Sequence, residues 1–219
     1  MRVIEDVTGR TAPAGLRERK KRRTRTTLIR CALELFALKG YERTTVDEIA
    51  DAAEVSQRTF FRYFTSKEEV ALAVQSAVES RFVAALRARP AEESPIAALR
   101  GAVLASWDGI GEAIESIVPF ELHLRTYRMI ESTPALLAAH LRHLSGLEER
   151  LAQEIARREG LDPATDPRPE VLVAAFGGVM RVASGIWGRH GEQGIEELRR
   201  LTTAYLDHLG PALAENWRS

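Results

Sequence analysis

The stretch TVDEIADAAEVSQRTFFRYFTSK, Thr45 to Lys67, contains three helix starts in succession. Thr45-Val46-Asp47-Glu48 has capping-box spacing, in which the Thr hydroxyl accepts an N3 amide and the Glu carboxylate reaches back to the N-cap amide. Asp47 and Glu48 also suit the positive end of the helix they open. Val46, Ile49, Ala50 and Ala53 keep the i, i+3, i+4 rhythm of a buried stripe. Glu54-Val55-Ser56 then turns the chain, and Ser56 is a good N-cap for a second short helix, Gln57 to about Phe64. Phe60 and Phe64 sit four apart and can bury together. Ser66-Lys67-Glu68-Glu69 repeats the capping-box spacing and opens a longer helix, expected to run to about Ala88.

Two short helices joined by a tight turn read as a helix-turn-helix. The second carries Gln57, Arg58, Thr59 and Arg62 away from its Phe60/Phe64 face. Arg can form two bonds with guanine, Gln two with adenine, and Thr offers a hydroxyl and a methyl. In such motifs the N-terminal residues of the second helix approach the base edges. From these residues alone a solvated polar face on a small helical hairpin is an equal reading.

The segment from Leu28 to Val70 resembles the DNA-binding domain of the TetR family of one-component regulators. The matching elements are Ile29, Ala32, Leu33, Phe36 and Gly40-Tyr41, then Thr44-Thr45-Val46 with Ile49-Ala50, then Val55-Ser56, Thr59-Phe60, Tyr63-Phe64 and Lys67-Glu68. The resemblance covers roughly a fifth of the chain, and the rest is similar only in length and helical character. It implies an all-α fold: a three-helix helix-turn-helix domain followed by a helical ligand-binding and dimerisation domain, about nine helices in all. The expected boundaries are a flexible arm over 1–15, the DNA-binding domain over 16–70 and the second domain over 71–219. Three departures stand out. Glu54 occupies a turn position where the family usually has Gly, so the turn either avoids positive φ or tolerates strain. Phe61 replaces a common Tyr and lacks a phenol for phosphate. Tyr63 replaces a common His and is suited to restore that contact.

Formal net charge is zero, but it is unevenly placed. Residues 1–67 hold 15 Lys/Arg against 9 Asp/Glu, and the remainder 16 against 22. A basic N-terminal third is the electrostatic footprint of a nucleic-acid site. Leu16 to Arg25, LRERKKRRTR, is either the solvated start of a helix or a clamp on phosphates that reaches toward a minor groove. Its place just before the motif favours the clamp. Lys67, at a helix N-terminus, is suited to hold a phosphate there. The expected DNA-contacting set is therefore Arg22, Arg23, Arg25, Thr45, Ser56, Gln57, Arg58, Thr59, Phe61, Arg62, Tyr63 and Lys67. Cys31, the single cysteine, excludes an internal disulfide and reads as a small core residue. The N-terminus lacks the apolar core of a signal peptide, so the expected compartment is the cytoplasm.

Beyond the motif, helical stripes recur with breaks at Arg89-Pro90 through Pro95, at Gly109 and Gly111, and over GLDPATDPRP. One helix is expected from Glu115 to Ile130 with a kink at Pro119. Glu170 to Gly188 is almost wholly apolar or small; its length invites a membrane reading. Arg181 near its middle opposes that by about 2.5–3.5 kcal/mol on insertion scales, so a buried helix is expected. It and the helix after Gly194 are candidates for a four-helix interface with a second subunit, through Ala174, Gly177, Gly178, Leu198, Leu201 and Tyr205. An intramolecular core is the alternative.

Trp107, Phe120, His123, Tyr127, Arg128, Phe176 and Met180 are candidates to line a cavity, since apolar walls with a few polar groups make the usual small-molecule pocket. His140 and His143 could share a metal, but no third ligand is identifiable. No phosphate loop, nucleophile elbow or zinc-protease motif occurs, and no catalytic residue or cofactor is expected. The expected partners are a double-stranded DNA operator, a small-molecule effector and a second copy of the chain, with no membrane. An α-helical enzyme or carrier lacks a catalytic constellation here. A purely architectural DNA-binding protein would not need so long a C-terminal region. Within the family, heads with an RTFFRYF-type helix resemble regulators of lipid or acyl-CoA metabolism, or of efflux.

Overall fold

The computed structural model describes residues 13–190 and 194–214. Among them are eleven helices and no strand: α1 Pro13–Lys39, α2 Val46–Ala52, α3 Gln57–Tyr63, α4 Lys67–Ala71, α5 Ala73–Arg87, α6 Pro95–Trp107, α7 Ile110–Glu115, α8 Phe120–Ser132, α9 Pro134–Glu159, α10 Arg168–His190 and α11 Gly194–Ala214. Residues 1–12 of the expected arm lie outside the described residues. Pro13 to Gly15 are helical instead, because proline suits a first turn whose amides have no intrahelical partner.

The N-terminal head forms as its side chains dictate. Leu28, Ile29, Ala32, Leu33 and Phe36 of α1 are buried together with Ile49 of α2 and Phe60 and Phe64 at α3. Gly40 ends α1 at φ +89, where only glycine sits without strain. Cys31 is part of this core; its Sγ lies 3.4 Å from the Ala52 carbonyl and burial pushes its thiol pKa up.

One expected helix proves to be divided and one helix forms where a break was expected, which raises the number above nine. The long helix from Ser66 breaks at Leu72, with φ −89 and ψ 2, into α4 and α5. No Pro or Gly marks the break. It falls where Val70, Ala71, Leu72, Ala73 and Val74 are all buried, and where α4 packs on both α1 and α9. Tertiary packing there overrides local helix preference. The added helix is α7, which forms across the break expected at Gly109 and Gly111, with Gly109 as its N-cap; the helix expected from Glu115 begins only at Phe120, with Pro119 as its N-cap rather than a kink.

The body packs α5 and α6 together, lays α9 across α8 and α10, and pairs α10 with α11. The expectation that α10 is a buried helix needs correction. Arg168–Arg189 has the length and hydropathy to cross a membrane, and only 28% of its most apolar window is buried. Val171 is 66% exposed and Val182 50%. The sequence period cannot say whether a small apolar face meets its own chain or another. Arg181 does not sit bare: it donates to Glu148 of α9 at 2.6 Å.

Candidate nucleic-acid interface and ligand cavity

Local bonding fixes the helix-turn-helix. The Glu48 amide donates to Thr45 Oγ1 at 3.3 Å, and the Thr45 amide donates to Glu48 Oε2 at 2.8 Å, completing the capping box. Its partner Lys39 and these Thr45 bonds hold the Glu48 carboxyl down at about 2. Glu54 adopts φ 53, so the turn takes the left-handed conformation despite its side chain. Ser56 caps α3, its Oγ accepting the Thr59 amide at 3.2 Å. Phe60 and Phe64 anchor the inner side of α3, both essentially inaccessible. Ser56, Gln57, Arg58, Phe61 and Arg62 face solvent, while Thr59 and Tyr63 are half-buried. This is the arrangement a groove-entering helix needs: an apolar back and a polar, basic front.

Not every expected DNA contact is free. Thr45 gives its one hydroxyl proton to Glu48 Oε2 at 2.9 Å, so its cap competes with a phosphate bond. The Thr59 and Ser56 hydroxyls bond each other at 3.0 Å. Arg22 and Arg23 are exposed on α1, whereas Arg25 lies over the Phe64 ring at 5.1 Å. Arg62 lies 5.3 Å from the Tyr63 ring centre. Lys67 departs most from expectation. Its Nζ donates to the carbonyls of Tyr41 at 2.9 Å and Thr44 at 3.0 Å, and sits 4.1 Å from the Tyr41 ring. Two of an ammonium's three donors therefore clamp the loop ahead of α2. A helix N-terminus beside a C-terminal loop offers carbonyls as well as a ligand, which the sequence alone does not reveal. The Tyr41 hydroxyl donates to Glu68 at 2.5 Å and completes the clamp.

The body holds a cavity of about 340 Å³, open to solvent beside Glu131, Leu141 and Arg181, and within the usual range for small-molecule sites. Trp107, His123, Tyr127, Phe176 and Met180 line it as expected. Phe120 and Arg128 do not. The Phe120 ring packs beside His123 at 6.2 Å, and Arg128 Nε donates to the Gly188 carbonyl at 3.3 Å. Gly188 also permits Tyr127 to lie against α10, since a Cβ there would come within 2.5 Å of the ring.

The sequence reading missed Gln75, Glu79 and Leu198 as cavity residues, and left His140 between a surface and a pocket role. Gln75 left a signal: it is the one polar residue in the run VALAV-Q, Val70 to Gln75. Gln75 Nε2 and Oε1, Trp107 Nε1, His123 Nδ1 and His140 Nδ1 are buried without a hydrogen-bond partner. Each such group costs about 1–3 kcal/mol. Burial holds the His123 pKa down at about 4, so its imidazole is neutral near pH 7. His140 is likewise lowered by burial and by nearby His143. Glu79 pairs with His143 at 2.6 Å, and its carboxyl pKa is raised by burial. His140 and His143 thus face separate environments, and the described residues hold no group of three metal-ligating side chains.

The candidate interface residues divide. Ala174 and Tyr205 are exposed and Gly178 and Leu201 half-buried. Gly177 and Leu198 turn inward instead. A Cβ on Gly177 would lie 2.5 Å from Glu148 Oε1 of α9, and Leu198 is 6% exposed at the cavity wall. Helical phase explains the split. Positions 171, 174, 178 and 182 share the outer face of α10, while 173, 176 and 180 point to the body.

Comparison with known proteins agrees with this architecture. Residues 28–74 match the model of bacterial regulatory proteins of the tetR family, and residues 93–214 match the MftR C-terminal domain. The chain is 48% identical over 204 residues to the HTH-type transcriptional regulator TcmR of Streptomyces glaucescens, covering 93% of this chain and 90% of that one. It is 33% identical over 158 residues to MftR of Mycobacterium tuberculosis, a protein named for regulation of mycofactocin biosynthesis, covering 72% and 76%. Among solved structures it is similar in fold to SmeT in complex with triclosan, at TM-score 0.56 and 19% identity over 86% of this chain and 90% of that one. A chain described as a TetR-family regulator from Mesorhizobium loti gives 0.51 and 18% over 88% and 98%. With a basic recognition head, an all-helical body and matches that run through both, this chain belongs to the TetR family of helix-turn-helix transcriptional regulators.

Proposed function

We propose that the chain is a repressor that leaves a palindromic operator when a small apolar or amphipathic effector enters the body. The observation that carries this reading is the pairing of an exposed Gln57, Arg58 and Arg62 front on α3 with a largely apolar cavity elsewhere in the same chain. The DNA-binding unit spans residues 16–70 and the ligand and dimerisation unit 71–219. Two copies join through α10 and α11, supported by the exposed Val171, Ala174 and Val182 on the outer face of α10, with half-buried Gly178 among them, and by the exposed Tyr205 of α11. Each head then enters one major groove, with half-sites about 34 Å apart for one helical turn. The protein acts where its DNA is, in the cytoplasm.

Two links join body to head. One is the α4–α5 run through Leu72. The other is α8, which packs on α1 and whose Arg125 donates to the Ala37 carbonyl at 3.1 Å. His123 and Tyr127 of the same helix line the cavity, so an occupant that shifts α8 also shifts the end of α1. Release requires that the effector bind the non-operator arrangement more tightly, by about 10⁴-fold for a near-complete switch. A selection of bound sequences from random DNA, repeated with Arg58→Ala, tests the reading. A palindrome is expected with wild type and a relaxed base preference with the variant. Identical selections from both would reject the contact assignment.

A further inference from the structure

The cavity holds more than apolar surface. Gln75, Trp107, His123 and His140 line it, from α5, α6, α8 and α9, and each is at least nine-tenths buried. Five of their polar atoms have no protein partner: both ends of the Gln75 amide, Trp107 Nε1, His123 Nδ1 and His140 Nδ1. A buried polar group normally meets a partner, and four helices contributing unpartnered groups to one space is not a packing accident of a single side chain. An acyl chain would leave most of these atoms unmet, and a site built from hydrogen-bonding groups discriminates strongly against molecules lacking the complement.

Charge narrows the choice further. Arg181, the one arginine among the described wall residues, is paired with Glu148, and His143 with Glu79. Glu131 adds a carboxylate at the exposed edge. The carboxylates of Glu148 and Glu79 are committed to Arg181 and His143, so an ion of either sign finds no unpaired opposite charge among the deep described residues, whose free groups are an amide, an indole and two imidazoles. The indole only donates; the amide and neutral imidazoles both donate and accept. The aromatic walls, with Phe82 and Phe176 stacked at 5.9 Å and Tyr127 against Trp187 at 5.7 Å, suit flat rings.

We infer that the effector is a neutral, ring-based molecule carrying several hydroxyl and carbonyl oxygens, bound through Gln75, Trp107, His123 and His140, and is neither a fatty acid or acyl thioester nor an organic cation. The inference rests on the cavity being the effector site proposed above and specifies what fills it. The oxygens serve as acceptors for the Trp107 and Gln75 N–H groups, and the hydroxyls as donors to the Gln75 carbonyl and to an imidazole nitrogen.

The test uses the full chain and three probes: naringenin, which is neutral with hydroxyls and a carbonyl on rings; palmitate, an apolar anion; and rhodamine 6G, a flat cation. Binding is followed by calorimetry, and thermal unfolding by circular dichroism, for wild type and for Gln75→Met and His140→Leu. Naringenin is expected to bind saturably and at least tenfold more tightly than either other probe. Both variants are expected to lose tenfold or more of naringenin affinity while their unfolding midpoints rise, because a polar group that serves a ligand burdens the fold. A merely structural Gln75 or His140 would give the reverse, a lowered midpoint with affinity unchanged, and would overturn the inference. So would palmitate or rhodamine 6G binding as tightly as naringenin, or no saturable naringenin binding. Naringenin binding without operator release would instead reject the release reading and leave the ligand class standing.

Discussion

The head and the cavity treat polar groups in opposite ways. In the head, the Thr45, Ser56, Lys67 and Tyr41 side chains all find partners in the chain itself, as cap, clamp or ring contact. In the cavity, four buried residues do not. A recognition helix must hold its shape before DNA arrives, so its supports are internally complete. On the reading proposed above, a sensor must gain something from its guest, which a wall left incomplete would provide. Rigidity and receptivity are separated along one chain, with Leu72 between them.

The largest way to break that contrast is at the head's apolar anchor. Phe60→Ala removes a fully buried ring and is expected to cost about 3–5 kcal/mol, abolishing operator binding and lowering the denaturation midpoint. The cavity should respond to acid instead. His123 is held neutral with its pKa lowered from 6.5 to about 4. An unfolded chain takes a proton below pH 6.5 that the folded one refuses, so stability is full above that value and falls as pH drops toward 4. A shift of that size is on the order of 3 kcal/mol, and His140 adds in the same direction. Chemical denaturation at pH 7 and pH 5 should show the fall for wild type and a shallower one for His123→Leu.

Next come the two basic residues whose environments differ most. Arg58→Ala should cost about 1–3 kcal/mol at one operator position and leave the melting temperature unchanged. Lys67→Ala should weaken all sequences alike and also lower the melting temperature, because its carbonyl partners lose their donor. Unaltered thermal stability in Lys67→Ala would show that the clamp contributes nothing. The smallest effects distinguish cap from turn. Ser56→Ala should destabilise by about 1 kcal/mol. Glu54→Gly should stabilise by about 1 kcal/mol, by relieving a left-handed residue that carries a Cβ. Urea midpoints of both variants check the opposite signs.

Much of the head was legible because its determinants are local. The Thr45 capping box, the Ser N-caps and a Phe pair four apart act within one or two turns, and the helices formed where those signals lie; at Ser66 the second expected box is only half made, because the Glu69 carboxylate accepts the Thr65 amide instead. The body was legible only as a set of stripes. Leu198 and Tyr205 sit on the same helix, yet which of them meets its own chain depends on where α6 and α10 pass, and that is a long-range fact. The clamp made by Lys67 was not foreseen for a related reason. Its position at a helix start is local, but the Tyr41 and Thr44 carbonyls reach it from more than twenty residues away. Glu54 left two options open, and the backbone takes the strained one.

The interruption at Leu72 has a consequence for how this protein can change over time. Each residue added to an uninterrupted helix would rotate everything beyond it by about 100°. Between Ser66 and Ala73 the chain therefore sets the angular phase between reader and sensor, and a single inserted or deleted residue would re-aim both heads of a dimer at once. Substitutions can drift freely on the outer faces of the body, but the count of residues through this joint is expected to stay fixed wherever the same operator spacing is read.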